Sequence, residues 1–296
     1  MMRITNVSQI NELFGNEQLK HPLITLLRPN EAKIVPEIKE KICVDLYSIS
    51  LKDGSECKIK YGRKMYDFQG GTLICLAPGQ IIEPISRAEI KEFEGWNLIF
   101  HPDLIRSTNL GAKINDYSFF YYESYEALHI SDHEKEVISG VVDSICAEYQ
   151  QNIDIYTQDV LVSNIELLLN YCKRFYGRQM LTRKHESQDI VQRFEKLLKS
   201  YFDSDEPKNF GLPSVRYCSE QLGYSANYLS DVLKQETGKN AQEQIHFYLI
   251  EKAKDMLLGT SEPVNTIAYE LGFKYPQHLS VLFKKKIGVS PNEFRK

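Results

Sequence analysis

Two groups of residues in the last third of the chain combine cations with short hydrogen-bonding side chains at helical spacing. The first is Ser225, Ala226, Asn227, Ser230, Asp231 and Lys234. The second is Lys274, Tyr275, Gln277, His278, Val281, Lys284 and Lys285. Asn227, Asp231 and Lys234 fall at i, i+4 and i+7, as do Gln277, Val281 and Lys284, so each set lines one face of a helix. Lysine ammonium groups neutralise phosphates, while amide, hydroxyl and imidazole groups bond to base edges in a major groove. The chemistry these residues suit is recognition of a nucleic-acid duplex. Lys234, Lys284 and Lys285 would sit on phosphates, and Asn227, Ser230, Gln277 and His278 on bases.

Charge alone does not announce this. The chain carries 36 Lys+Arg against 40 Asp+Glu, a net −4. Residues 186–296 carry 15 of each sign, but residues 274–296 hold six cations against Glu293 alone. Any phosphate-seeking surface is therefore local and C-terminal.

Other chemistries find little footing. The seven histidines include no H-x-H pair, and a metal-dependent reaction is not expected. His129 and His133 would share a helix face if that segment were helical, and a surface pair at a helix start is the preferred reading. The six cysteines stand singly, with no C-x-x-C, as reduced thiols of a cytosolic protein do. No P-loop, dinucleotide fingerprint or nucleophile elbow occurs. No enzyme activity, cofactor or metal is expected.

The elements that position the two groups form an internal repeat. Leu222-Gly223-Tyr224 through Lys234 to Gly238 matches Leu271-Gly272-Phe273 through Lys284 to Gly288, at an offset of 49 and then 50 residues. Each copy reads as a short helix, a glycine in the left-handed conformation that ends it, a turn and a longer helix. The short helices are expected at 214–222 and from Pro263. The longer ones bury Leu229, Val232 and Leu233, or Leu279, Leu282 and Phe283. This is helix-turn-helix architecture. A spacer helix over 241–258, buried through Ile245, Leu249, Ala253, Met256 and Leu257, spans roughly 27 Å at 1.5 Å per residue. That length suits two reading helices about one DNA turn, ~34 Å, apart.

The first hundred residues read as short strands separated by turn signals such as Pro78-Gly79 and Gly70-Gly71, an antiparallel sandwich or barrel. Helical spacing follows the capping box Ser131–Glu134 and resumes near Thr157. The second stripe, Val160, Leu161, Ile165, Leu168, Leu169, Cys172 and Phe175, is assigned to a contact between two copies of the chain, with packing on the sheet as the alternative. The polar, basic segment 177–186 is expected as a linker. No run is long and apolar enough to span a membrane, and the N-terminus lacks an apolar signal core. A cytoplasmic protein is expected.

The segment from about 186 to 296 resembles the DNA-binding domain of AraC/XylS-type regulators. Ile267-Ala268-Tyr269-Glu270-Leu271-Gly272-Phe273, then Phe283 to Pro291 and Phe294-Arg295, carry that likeness most specifically. Asp67-Phe68-Gln69-Gly70-Gly71-Thr72-Leu73 and Ala77-Pro78-Gly79-Gln80 resemble the cupin-type sensing barrel often fused to it. Two departures stand out. The family often has arginine one residue after the Ser of each reading helix, where this chain has Asp231 and Val281. An acid can accept from cytosine N4 and a valine can touch a thymine methyl, so base preference does not transfer.

The resemblance implies an α+β chain. Residues 1–180 would form an antiparallel cupin-like barrel with a helical pair for sensing and dimerisation, and residues 186–296 an all-α domain with two helix-turn-helix units. It implies a homodimer on double-stranded promoter DNA, a small organic effector, and RNA polymerase as a further partner. Tyr47, Tyr61, Tyr66, Cys75, Trp96 and Phe100 lie on the expected strands and are the candidates for lining a pocket, with core packing the default reading of each. The competing reading is a small-molecule-binding cupin whose helical domain contacts protein, not DNA.

Overall fold

The computed structural model describes all residues except 1, 16–19, 29–31, 33, 35–37, 54–57, 62–63, 68–70, 84–89, 91–93, 124–125 and 183, with backbone only at 53, 58–61, 64–67, 94, 182 and 184–186. The chain divides into two compact units, Met1–Thr182 and Arg183–Lys296.

The first unit mixes sheet and helix. Its strands are β1 (Met2–Ile4), β2 (Ile24–Leu27), β3 (Ile42–Val44), β4 (Tyr47–Asp53), β5 (Lys58–Tyr61), β6 (Lys64–Asp67), β7 (Thr72–Leu76), β8 (Gln80–Ile82), β9 (Glu94–Phe100) and β10 (Leu128–His129). Five form an antiparallel sheet in the order β10-β7-β4-β9-β2. A second sheet, β1-β3-β8, contains a parallel pair, β1 with β3, and β5 pairs with β6 as a hairpin. Among the described residues these sheets do not close on one another, so the expected barrel is corrected to separate sheets. The expectation of strands alone also missed α1 (Val7–Leu13), which starts at an Asn6–Gln9 capping box and buries Val7 and Ile10 beside Ile4, Leu27, Ile42, Val44 and Ile99.

Register assigns the faces of the large sheet. Tyr47 pairs with Phe100, Ile49 with both Leu98 and Cys75, and Leu51 with Trp96. Directly opposed residues share a face, so Tyr47, Cys75, Trp96 and Phe100 look the same way. The other face carries Ser48, Ser50 and Asn97, with Ser48 Oγ donating to Asn97 Oδ1 at 2.8 Å.

Helix α2 (Asn109–Lys113) precedes two longer helices, α3 (Asp132–Tyr149) and α4 (Thr157–Thr182). The Ser131–Glu134 capping box is present, so His133 lies in α3 while His129 lies in β10; they do not form a helical pair. Among the described residues, no group of three or more His, Cys, Asp or Glu is placed to hold a metal ion. Trp96 Nε1 points at Ser139 Oγ of α3 at 3.5 Å, and Gln179 of α4 accepts from His129 N–H and donates to Ala127 O. The helix pair therefore covers the Trp96 face of the sheet.

This packing bears on three expectations. Tyr47 stacks on Phe100 at 5.1 Å and meets Phe120 edge-on. Burial beside Cys172 of α4 pushes the Cys75 thiol well up from its ordinary value. Tyr47, Cys75, Trp96 and Phe100 are buried in a helix–sheet core; the side chains of Tyr61 and Tyr66 lie outside the described residues. Leu161, Ile165, Leu168, Leu169 and Cys172, assigned above to a dimer contact, are fully buried within the single chain, and only Val160 of that set is exposed. The outward side of α4 carries Val160 and Leu167 instead, next to exposed Ile155 and Tyr156. Finally, residues 177–182 are the last turns of α4, not a linker. Met180 and Gln179 are buried there, and Arg178 bonds to both Glu134 carboxylate oxygens and to His129 O.

The second unit is helical throughout: α5 (Lys184–Phe202), α6 (Glu206–Phe210), α7 (Val215–Leu222), α8 (Ala226–Thr237), α9 (Ala241–Gly259), α10 (Val264–Glu270), α11 (Pro276–Ile287) and α12 (Pro291–Arg295). Its core is built from Phe194 and Leu198 of α5, Leu229, Val232 and Leu233 of α8, Ile245, Leu249, Ile250 and Ala253 of α9, Ile267 and Ala268 of α10, and Leu279 and Phe283 of α11. Among the described residues no helix of either unit is long and apolar enough to cross a membrane.

Candidate nucleic-acid interface

Each copy of the repeat is set by local chemistry. In the first, Ser214 caps α7 by accepting from Tyr217 N–H, and Ser225 caps α8 by accepting from Tyr228 N–H at 3.2 Å. Capping of this kind satisfies amide donors that a helix start leaves open. Between them Gly223 adopts φ +78, and Tyr224 N–H reaches back to Ser219 O at 3.0 Å. The second copy repeats the closure. Gly272 has φ +93, and Phe273 N–H reaches Ala268 O at 2.9 Å. This six-to-one bond with a left-handed glycine is how a helix is stopped and turned within a few residues. The second turn is one residue longer and ends on Pro276, whose fixed φ suits a first helical position. Gly238 and Gly288, both left-handed, end the longer helices.

Lys274, Tyr275, Gln277, His278, Val281, Lys284 and Lys285 all reach the surface, Val281 at 67% exposure. Leu279 and Phe283, on the opposite side of α11, are fully buried. Val281 is a single exposed apolar side chain among these cations and amides. Tyr275 lies edge-on to His278 at 5.6 Å with the Lys274 ammonium 5.7 Å from its ring. Lys284, Lys285 and Lys286 occupy the last turn, where the helix dipole favours cations. Arg295, counted with this basic stretch, is used internally: its Nε donates to Leu257 O at 3.0 Å.

The first set is less open. Lys234 is exposed, but Ser225, Ala226, Asn227, Ser230 and Asp231 are partly buried. Helix α5 packs along α8. Arg193 of α5 donates to Leu222 O at 3.0 Å and lies 5.9 Å from the Tyr224 ring, which stacks on Tyr228 at 5.6 Å. Sequence reasoning missed Arg193, Tyr224 and Tyr228. An arginine one helix upstream of an aromatic turn leaves no periodic signal, although the Tyr224–Tyr228 i, i+4 spacing was legible.

One histidine near the interface is perturbed. His246 of α9 shares a hydrogen bond with Gln242 and is pulled below its ordinary 6.5 by burial, then by Lys286 and Lys285.

Residues 218–296 match the family model described as a helix-turn-helix domain. The transcriptional regulatory protein YesN of Bacillus subtilis is 34% identical over 95 residues, 31% of this chain and 26% of that protein. The HTH-type transcriptional activator RhaS of Escherichia coli is 34% identical over 77 residues, 26% of this chain and 28% of that protein. Among solved structures, the C-terminal domain of AraT, a response regulator from Geobacillus stearothermophilus, is 32% identical. It aligns with 36% of this chain and 83% of that one, at a TM-score of 0.32. ToxT from Vibrio cholerae aligns with 92% of this chain and 97% of its own, at 17% identity and a TM-score of 0.30.

Residues 218–296 are a helix-turn-helix domain. The chain spans about a quarter of the length of YesN and of RhaS, so those matches speak for that domain.

Proposed function

We propose that the protein is a transcriptional regulator that binds promoter DNA through both helix-turn-helix units. The observation that carries the reading is the exposed face of α11, where cations, amides, an imidazole and a bare valine stand together on a helix whose other side is core. Lys234, Lys284 and Lys285 take phosphates. Asn227, Ser230, Gln277 and His278 take base edges, with Asp231 suited to cytosine and Val281 to thymine. The unequal exposure of the two sets makes the second unit the stronger electrostatic grip. The relatives' names, a transcriptional activator among them, support the same reading.

In this reading residues 1–180 sense and residues 186–296 bind. A small organic effector would not enter the packed Trp96 face. It would meet the opposite face of the sheet, where Ser48, Ser50 and Asn97 offer hydrogen bonds. Two copies would pair through the outward side of α4, Val160 and Leu167 with Ile155 and Tyr156. RNA polymerase is the expected further partner, and the setting is the cytoplasm. Regulators of this kind need no reaction chemistry, and none is assigned.

Gel-shift titration of the full chain against its own upstream DNA tests the reading. Binding should be tighter than to unrelated duplex by roughly 10³-fold or more and weaken steeply with salt. Equal, salt-insensitive affinity for both duplexes would contradict it.

A further inference from the structure

The two helix-turn-helix units are joined at two places. The first is the covalent spacer α9. The second lies between the α6–α7 connection, which leads into the first unit, and the turn of the second unit. Gly211 ends α6 at φ 85 and ψ −155, a region of backbone space open in practice only to glycine. Its N–H donates to Pro207 O at 2.9 Å, and its carbonyl accepts from the Tyr201 hydroxyl at 2.8 Å. Tyr217 of α7 donates to the Glu206 carboxylate at 3.0 Å, tying α6 to the first unit from the other side.

Gly272 meets this connection backbone to backbone. A methyl group on it would come within 2.8 Å of the Gly211 carbonyl carbon and 2.9 Å of the Gly211 and Pro207 oxygens. Real side chains do not approach main-chain atoms so closely, and none of these three atoms can swing aside as a flexible side chain would. Gly272 also needs its φ of +93. Two separate requirements, the turn and the close approach, therefore fall on one residue. A body attached at one point can pivot about it, whereas one attached at two points keeps its angle. The turn carrying Gly272 leads directly into α11, so whatever fixes the turn fixes that reading helix.

We infer that the Gly211–Gly272 contact is a brace that holds the two reading helices at one separation, so that the domain accepts one spacing between its two half-sites. Gly211, Gly272 and Tyr201 are positioning residues in this account, and none of them touches the DNA. The inference rests on the DNA-binding reading proposed above.

The test uses the full chain and duplexes that it enriches from a random-sequence pool. Each enriched duplex is also made with a single base pair inserted between the two half-sites. For the wild-type chain the insertion should cost about tenfold or more in affinity, the range of a mismatched base pair. Tyr201→Phe adds no atom and leaves Gly211 O without its donor; Gly272→Ala pushes the two backbones apart. In both variants the insertion should cost less than about threefold; in Tyr201→Phe, which leaves the Gly272 turn intact, affinity for a single half-site stays at the wild-type value. An insertion penalty in Tyr201→Phe as large as in wild type overturns the brace. A wild-type chain that enriches no duplex overturns the DNA-binding reading itself.

Discussion

Replacing Lys284 and Lys285 together with alanine is expected to flatten the salt dependence of DNA binding by about 1.8 in log K against log salt, at ~0.9 for each phosphate no longer neutralised. Between 50 and 200 mM salt, wild type should thus lose roughly tenfold more affinity than the variant. Both lysines are exposed in the last turn of α11, on the side away from the core. Stability should therefore change little, and the loss at low salt should be similar on every sequence, because a phosphate carries no sequence information. Gln277→Ala provides the contrast. It should leave the slope alone and relax preference at one base-pair position by about 1–3 kcal/mol. A double lysine variant with the wild-type slope would remove these residues from the phosphate-binding set.

The second large effect concerns the first unit. Leu168→Ala is expected to cost about 2–5 kcal/mol of stability, because a fully buried leucine is replaced by a void that rigid neighbours cannot refill. Trp96, the only tryptophan, is buried on the sheet face that α3 and α4 cover, so its fluorescence during denaturation reports this unit. Sedimentation should show the same mass for Leu168→Ala as for wild type at a concentration where both are folded. Leu167→Asp, one residue along and 45% exposed, should do the opposite, leaving the denaturation midpoint near wild type while separating any dimer. Dissociation by Leu168→Ala with unchanged stability would return that stripe to a contact between copies.

The C-terminal domain was legible because its boundaries are local. Gly223, Gly238, Gly272 and Gly288 each stop a helix in the left-handed conformation; Ser225, Asn240 and Ser290 cap the helices that follow three of them, Pro276 opens the helix after Gly272, and Ser214 caps α7. Such signals are written within a few residues and survive without knowledge of the neighbours. The first unit was harder for the same reason turned round. Periodicity showed that Tyr47 and Phe100, or Leu161 through Cys172, lie on apolar faces, but not which neighbour covers them. The answer, α3 and α4 over the Trp96 face, depends on contacts far apart in the chain. Residues 177–182 misled because their composition is polar; what holds them is Gln179 bonded to strand backbone and Arg178 to Glu134. Helix α1 was missed because seven residues offer too short a period. In the interface, the basic, exposed α11 was readable from type and spacing. The partial covering of α8 by α5, through Arg193 and the Tyr224–Tyr228 stack, was not. The close approach of Gly211 and Gly272 joins residues that the repeat never aligned.

The most direct measurement is a hydroxyl-radical footprint of the full chain on an enriched duplex. Two reading helices on one rigid domain should protect two patches for each bound copy, on one face of the duplex, with centres about 10–10.5 base pairs apart. A single patch per copy would mean that only one unit reads DNA. No protection at concentrations that saturate the gel shift would contradict the account of this domain as a reader of two successive major grooves.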